Sequence, residues 1–85
     1  MSGITIYTTP ICPYCVRAKD LLKRKGRNDY QEIDITKNPF AMQEMLAKTG
    51  GRKTVPQIFI GETYIGGCDD LYALEAAGKL DGLLI

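Results

Sequence analysis

Apolar and polar positions alternate over Ile4-Thr5-Ile6-Tyr7-Thr8. That period of two, with β-branched and aromatic residues, predicts a strand. After a Thr9-Pro10-Ile11 loop the period changes. Cys15, Ala18 and Leu22 recur at helical spacing, Lys23, Arg24 and Lys25 fill a last turn, and Gly26 follows. The expectation is a helix from Pro13 to about Lys25. A second strand is expected near Tyr30 to Ile35. Asn38-Pro39 opens another helix, because Asn caps and Pro suits the first helical position. Met42, Met45 and Leu46 form its expected apolar face, and Gly50-Gly51 ends it. Gln57-Ile58-Phe59-Ile60 and Thr63-Tyr64-Ile65 read as a hairpin turning at Gly61-Glu62, and Gly66-Gly67 breaks its second strand. A third helix is expected from about Asp69 to Ala77, stopped by Gly78, and Leu80, Leu83 and Leu84 mark a short last one. The order β-α-β-α-β-β-α-α gives a parallel pair from the β-α-β unit and an antiparallel pair from the hairpin. An α/β fold with one four-stranded mixed sheet flanked by helices accommodates both.

Eighty-five residues make one small domain, 1–85, with a core that must be compact and regular. The formal net charge of +1 argues against nucleic acid or an anionic membrane as partner. No apolar run reaches the length of a membrane span. Met1-Ser2-Gly3 runs into the first strand without a charged-then-apolar leader, so the expected compartment is the cytoplasm. The chain has no histidine, which removes Cys-His and Ser-His catalysis and any metal site built on His. Its three cysteines are Cys12, Cys15 and Cys68, an odd number that makes a poor structural disulfide framework. Catalysis or metal binding is the better reading.

Cys12-Pro13-Tyr14-Cys15 follows a predicted strand and opens a predicted helix, the context in which C-x-x-C reads as a redox motif. The spacing places both sulfurs on one face of the first turn, where they can close a disulfide. Cys12 sits where free N–H groups and the helix dipole favour an anion, and the thiolate is the nucleophile. Cys15 lies a turn inside and is the natural resolving thiol. Half of a zinc site is the alternative, but zinc takes four ligands and one more Cys is all the chain offers. Val55-Pro56 precedes a strand, where a missing N–H is tolerated. Gly66-Gly67-Cys68-Asp69-Asp70 joins a flexible turn to a helix start, whose N–H groups suit a carboxylate and whose Asp suits an ammonium. Capping by Asp69 or Asp70 is the plain structural reading of the same residues, and it can coexist with binding. Cys68 by itself reads as a small buried or turn residue without redox duty. Lys23-Arg24-Lys25 with Arg27 reads as a solvated helix end.

Taken together, Cys12-Pro13-Tyr14-Cys15, Thr54-Val55-Pro56 and Gly66-Gly67-Cys68-Asp69-Asp70 resemble the signature of the dithiol glutaredoxins, and the resemblance covers nearly the whole chain. It implies a thioredoxin-like fold and a glutathione groove lined by Tyr14, Thr54, Val55, Cys68, Asp69 and Asp70. It also implies a cis Pro56 that frees the Val55 backbone to pair with the tripeptide. Catalysis would run through Cys12 and Cys15, with glutathione as reductant and no metal. The implied partners are glutathione and glutathionylated or disulfide-containing proteins, with ribonucleotide reductase a family-level candidate, served by a monomer. Two rivals follow from the same resemblance: a redoxin fed by thioredoxin reductase, and an iron–sulfur carrier using Cys12 and external glutathione. Pro13 counts against the second, because cluster-binding relatives usually have Ser or Gly there. One position departs from the family. Many members carry a Lys three residues before the nucleophile, and here Thr9 is uncharged. Arg52 and Lys53, just before Thr54, are the expected substitutes.

Overall fold

A computed structural model describes residues 3–85; Met1 and Ser2, on which the leader reading falls, lie outside the described residues. The chain runs β1 (Ile4–Thr8), α1 (Pro13–Arg24), β2 (Gln31–Asp34), α2 (Pro39–Thr49), β3 (Gln57–Ile60), β4 (Thr63–Gly66), α3 (Cys68–Ala76) and α4 (Leu80–Leu84). The sheet order is β2-β1-β3-β4. The β1–β2 pair is parallel across α1, and β3 pairs antiparallel with both β1 and β4. Between Ile58 and Phe59 the β3–β4 register shifts, so that Phe59 faces Tyr64 while Ile58 faces Gly66.

Alternation along β1 and β3 decides the layering. Ile4, Ile6, Ile58 and Ile60 point to one face, where they pack with Ala18, Leu21 and Leu22 of α1, Leu71 of α3, and Leu80 and Leu84 of α4. Tyr7 and Phe59 point to the other face. There the Tyr7 hydroxyl donates to Glu44 of α2, and Lys48 of α2 sits 5.9 Å from the Phe59 ring centroid. None of the helices among the described residues is long and apolar enough to cross a membrane.

Two elements form where expected with slightly different bounds, and two expectations need correction. β2 is shorter than Tyr30 to Ile35, covering Gln31–Asp34. The buried face of α2 is Ala41, Met45 and Thr49 at strict i, i+4 spacing, with Met42 and Leu46 half-buried at its margins. A helix lying across a sheet needs only a narrow stripe, and small residues let it approach closely. α3 starts one residue early, so Cys68 is its first helical residue and Gly67 its cap. The basic run is not merely solvated: Lys25 bridges Glu75 of α3 and Asp81 of α4, and Arg24 donates to the Tyr72 hydroxyl. Arg27 is buried, with its guanidinium on Asp29 and the Leu84 carbonyl. These cations fasten the C-terminal helices to the end of α1.

The same pairing makes stability depend on acid. Hydrogen bonds from Arg27 hold Asp29 below its ordinary 3.8, and the Thr36 hydroxyl and N–H do the same for Asp34. A carboxylate held low in the folded state stabilises the fold above its unfolded value, and that contribution is lost as pH falls through the folded value. Thermal midpoints should therefore be flat above about pH 5 and fall on acidification toward about pH 3. The drop should be shallower in Asp29→Asn. An unchanged slope in that variant would contradict the assignment.

Candidate active site

Cys12 is the N-cap of α1. Its backbone is extended (φ −150°, ψ 97°), and its sulfur lies 3.1 Å from the Cys15 N–H, which donates to it. Pro13 occupies the first helical position, and the first turn holds no acidic residue. The Cys15 N–H, one of the groups left unpaired at a helix start, therefore faces the sulfur, and no carboxylate sits in that turn. Cys12 and Cys15 are joined as a disulfide with Cα atoms 5.2 Å apart. Cys12 is half-buried, whereas Cys15 is 1% exposed. One sulfur can thus meet an incoming molecule and the other cannot.

A groove of about 350 Å³ opens beside this pair. Its walls come from three stretches far apart in sequence. Tyr14 forms one side; Thr54, Val55 and Pro56 a second; Cys68, Asp69 and Asp70 with Gly67 a third. The structure therefore brings together the six residues expected to line a groove, with Pro56 among them. The Val55–Pro56 peptide is cis, and the Val55 carbonyl stands 3.9 Å from the Cys12 sulfur. Arg52 also lines the groove, and Lys53 is not among the lining residues.

Each wall has its own support. The Arg17 guanidinium lies 5.9 Å from the Tyr14 ring centroid and 5.4 Å from that of Tyr72, so α3 reaches the Tyr14 wall through a cation–π stack. Gln57 is fully buried in β3, and its amide donates to the Thr54 carbonyl at 2.9 Å and hydroxyl at 3.1 Å. The Asp70 carboxylate accepts from the Gly67 N–H at 2.9 Å, half of a capping box. Gly66 adopts φ 112°, and a Cβ there would strike the Asp70 carboxylate. Cys68 is 4% exposed, and burial pushes its thiol up, with Arg17 opposing and Asp69 reinforcing the shift. Its chemistry at neutral pH is that of a thiol, a poor nucleophile. Among the described residues no three His, Cys, Asp or Glu side chains cluster to hold a metal.

Gln57 is a supporting residue that the strand pattern alone does not reveal. A glutamine between Pro56 and Ile58 at the start of a core strand was the available signal, since a buried amide must find partners.

The sequence profile of the family described as Glutaredoxin matches residues 4–65. A glutaredoxin of Pseudomonas aeruginosa is 61% identical over 84 residues, covering 99% of this chain and 98% of that relative. Glutaredoxin 3 of Escherichia coli K12 is 56% identical over 84 residues, covering 99% of both. A crystal structure of a buckwheat glutaredoxin–glutathione complex superposes with a TM-score of 0.87 at 32% identity, covering 98% of this chain and 76% of that one.

Two outcomes are expected. In the reduced protein Cys12 should alkylate with a pH midpoint well below the roughly 8.5 of a free thiol, followed by mass spectrometry of the Cys12 peptide; a midpoint at the free-thiol value would contradict activation by the helix start. Gly66→Ala should cost about 1–3 kcal/mol by urea denaturation, because a left-handed backbone must accept a side chain. Adding Asp70→Ala should recover part of that loss.

Proposed function

The chain belongs to the glutaredoxin family of thiol–disulfide oxidoreductases, and from that premise we propose that it reduces glutathione mixed disulfides and protein disulfides with glutathione as electron donor. The observation that carries this reading is the half-buried Cys12 sulfur at a helix cap beside a groove of tripeptide size. The buckwheat relative crystallised with glutathione supports the choice of occupant.

In this reading the cysteinyl part of glutathione pairs with the Val55 backbone. Its γ-glutamyl carboxylate meets the N–H groups at the start of α3, and Asp69 faces its ammonium, since Asp70 is already engaged with Gly67. Arg52 takes the glycyl carboxylate, the work a lysine at position 9 would otherwise share.

The monothiol route begins when the Cys12 thiolate attacks the glutathione sulfur of a mixed disulfide. The protein sulfur leaves as a thiolate and takes a proton from water. A second glutathione thiolate attacks the glutathione sulfur on Cys12, which releases glutathione disulfide and restores the Cys12 thiolate. In the dithiol route Cys12 attacks a protein disulfide, and the Cys15 thiolate then attacks the Cys12 sulfur. That step frees the reduced substrate and leaves the Cys12–Cys15 disulfide, which two glutathione molecules reduce. Each step is a displacement in line with the breaking S–S bond and needs a thiolate at ambient pH. Protein substrates would be glutathionylated or disulfide-containing cytoplasmic proteins, with ribonucleotide reductase a candidate, and the enzyme would act as a monomer without metal.

The test separates the two sulfurs. With a small glutathionylated disulfide and glutathione reductase as the coupling enzyme, Cys12→Ser should lose all activity and Cys15→Ser should retain it. With a protein disulfide as substrate, both variants should be inactive. Equal loss from both substitutions in the first assay would sink the monothiol route.

A further inference from the structure

The turn between α2 and the groove holds a contact that the reaction scheme does not use. Thr49 is the last residue of α2, and its side chain is buried with the residue 8% exposed. Its hydroxyl accepts from the Arg52 N–H at 3.0 Å and donates to the Arg52 carbonyl at 3.3 Å. One hydroxyl thus satisfies both main-chain polar groups of a single residue three positions on. The two residues between are Gly50 (φ 72°) and Gly51 (φ 98°), both left-handed, a conformation most side chains resist. Gly51 also donates back to the Leu46 carbonyl at 2.8 Å, closing the helix end. The chain therefore reverses in two residues and is gripped at Arg52, the one basic residue in the groove lining.

An arginine side chain has long reach and many rotamers, so the point and direction from which its backbone launches it decide which surface the guanidinium can reach. We propose that Thr49 is a positioning residue for glutathione use: its hydroxyl clips the Arg52 main chain so that the guanidinium enters the groove at the glycyl-carboxylate end. This rests on the reading of Arg52 given under Proposed function. Thr49 touches no substrate; it acts through Arg52 alone. The consequence is a specific coupling. Loss of the hydroxyl should resemble loss of the guanidinium, and once the guanidinium is gone the hydroxyl should no longer matter for glutathione.

The experiment is a double-mutant cycle on the full chain, with kcat and KM for glutathione measured in the coupled assay at low and high salt. Arg52→Gln should raise KM about two- to five-fold, as befits an exposed charge–carboxylate contact, and should flatten its salt dependence. Thr49→Val should reproduce most of that KM rise and the flattening, with kcat kept. Thr49→Ser, which retains the hydroxyl, should return both toward the starting protein. Thr49→Val combined with Arg52→Gln should be no worse than Arg52→Gln alone. Gly51→Ala, which disturbs the same turn without touching the hydroxyl, should give the same KM signature if Thr49→Val folds too poorly to measure. The clip is wrong if Arg52→Gln raises KM while Thr49→Val and Gly51→Ala do not, or if the Thr49 and Arg52 effects multiply in the double variant. A KM unmoved by Arg52→Gln overturns the proposal at its premise, the carboxylate contact, rather than at the clip.

Discussion

The first turn of α1 has N–H groups that no carbonyl of the helix can reach, and the fold gives one of them to a sulfur. Everything else in the site follows from where that helix end is held. β1 delivers the chain to Cys12, and the parallel β1–β2 pair forces α1 to cross back over the sheet. Ala18, Leu21 and Leu22 lock the helix against Ile4, Ile6 and Ile58, so its N-terminus is held beside Val55 at the end of the central strands β1 and β3. The far end of α1 is tied as well, through Lys25 to α3 and α4. A helix fixed at both ends presents its cap at one place, and a nucleophile there needs no neighbouring base.

The groove is a meeting of the first turn of α1, the loop through Arg52 to Pro56 and the start of α3, and a loop alone would be a poor wall. Three polar side chains with main-chain partners stiffen the last two: Gln57 on Thr54 and Thr49 on Arg52 in the loop, Asp70 on Gly67 at α3. Two of these three side chains are buried, and a buried polar atom left unpaired costs about 1–3 kcal/mol, which keeps such contacts made.

The two remaining cysteines show how environment divides one chemistry. Cys15 and Cys68 are both almost fully buried, at 1% and 4% exposure. Cys15 lies within disulfide distance of Cys12 one helical turn away, so burial hides it from solvent while leaving its one partner in reach. Cys68 has burial without a partner sulfur, which keeps it protonated. It contributes surface to the groove wall.

Local patterns in the chain determined a great deal. Alternation over 4–8, the hairpin pattern of 57–60 and 63–65 around Gly61-Glu62, the helical period after Pro13, and the stop signals at Asn38, Gly50 and Gly78 are short-range, and each element formed where its pattern lay. Cys12-Pro13-Tyr14-Cys15 was legible for the same reason: strand, sulfur, proline and helix are neighbours in sequence, so cap geometry needs no distant partner. Tertiary structure decided what depends on residues far apart. The narrow Ala41-Met45-Thr49 face of α2 emerged only when a sheet lay beneath it, and Met42 and Leu46 are just as apolar on paper. Arg27 looked like a surface charge until the Leu84 carbonyl, 57 residues away, closed over it. Choosing Arg52 over Lys53 as the groove cation required the turn through Gly50 and Gly51 to set the direction of each side chain. A sequence displays periodicity and caps because those interactions span only a few residues; it does not display which polar groups lose water together, because that is settled when distant segments pack.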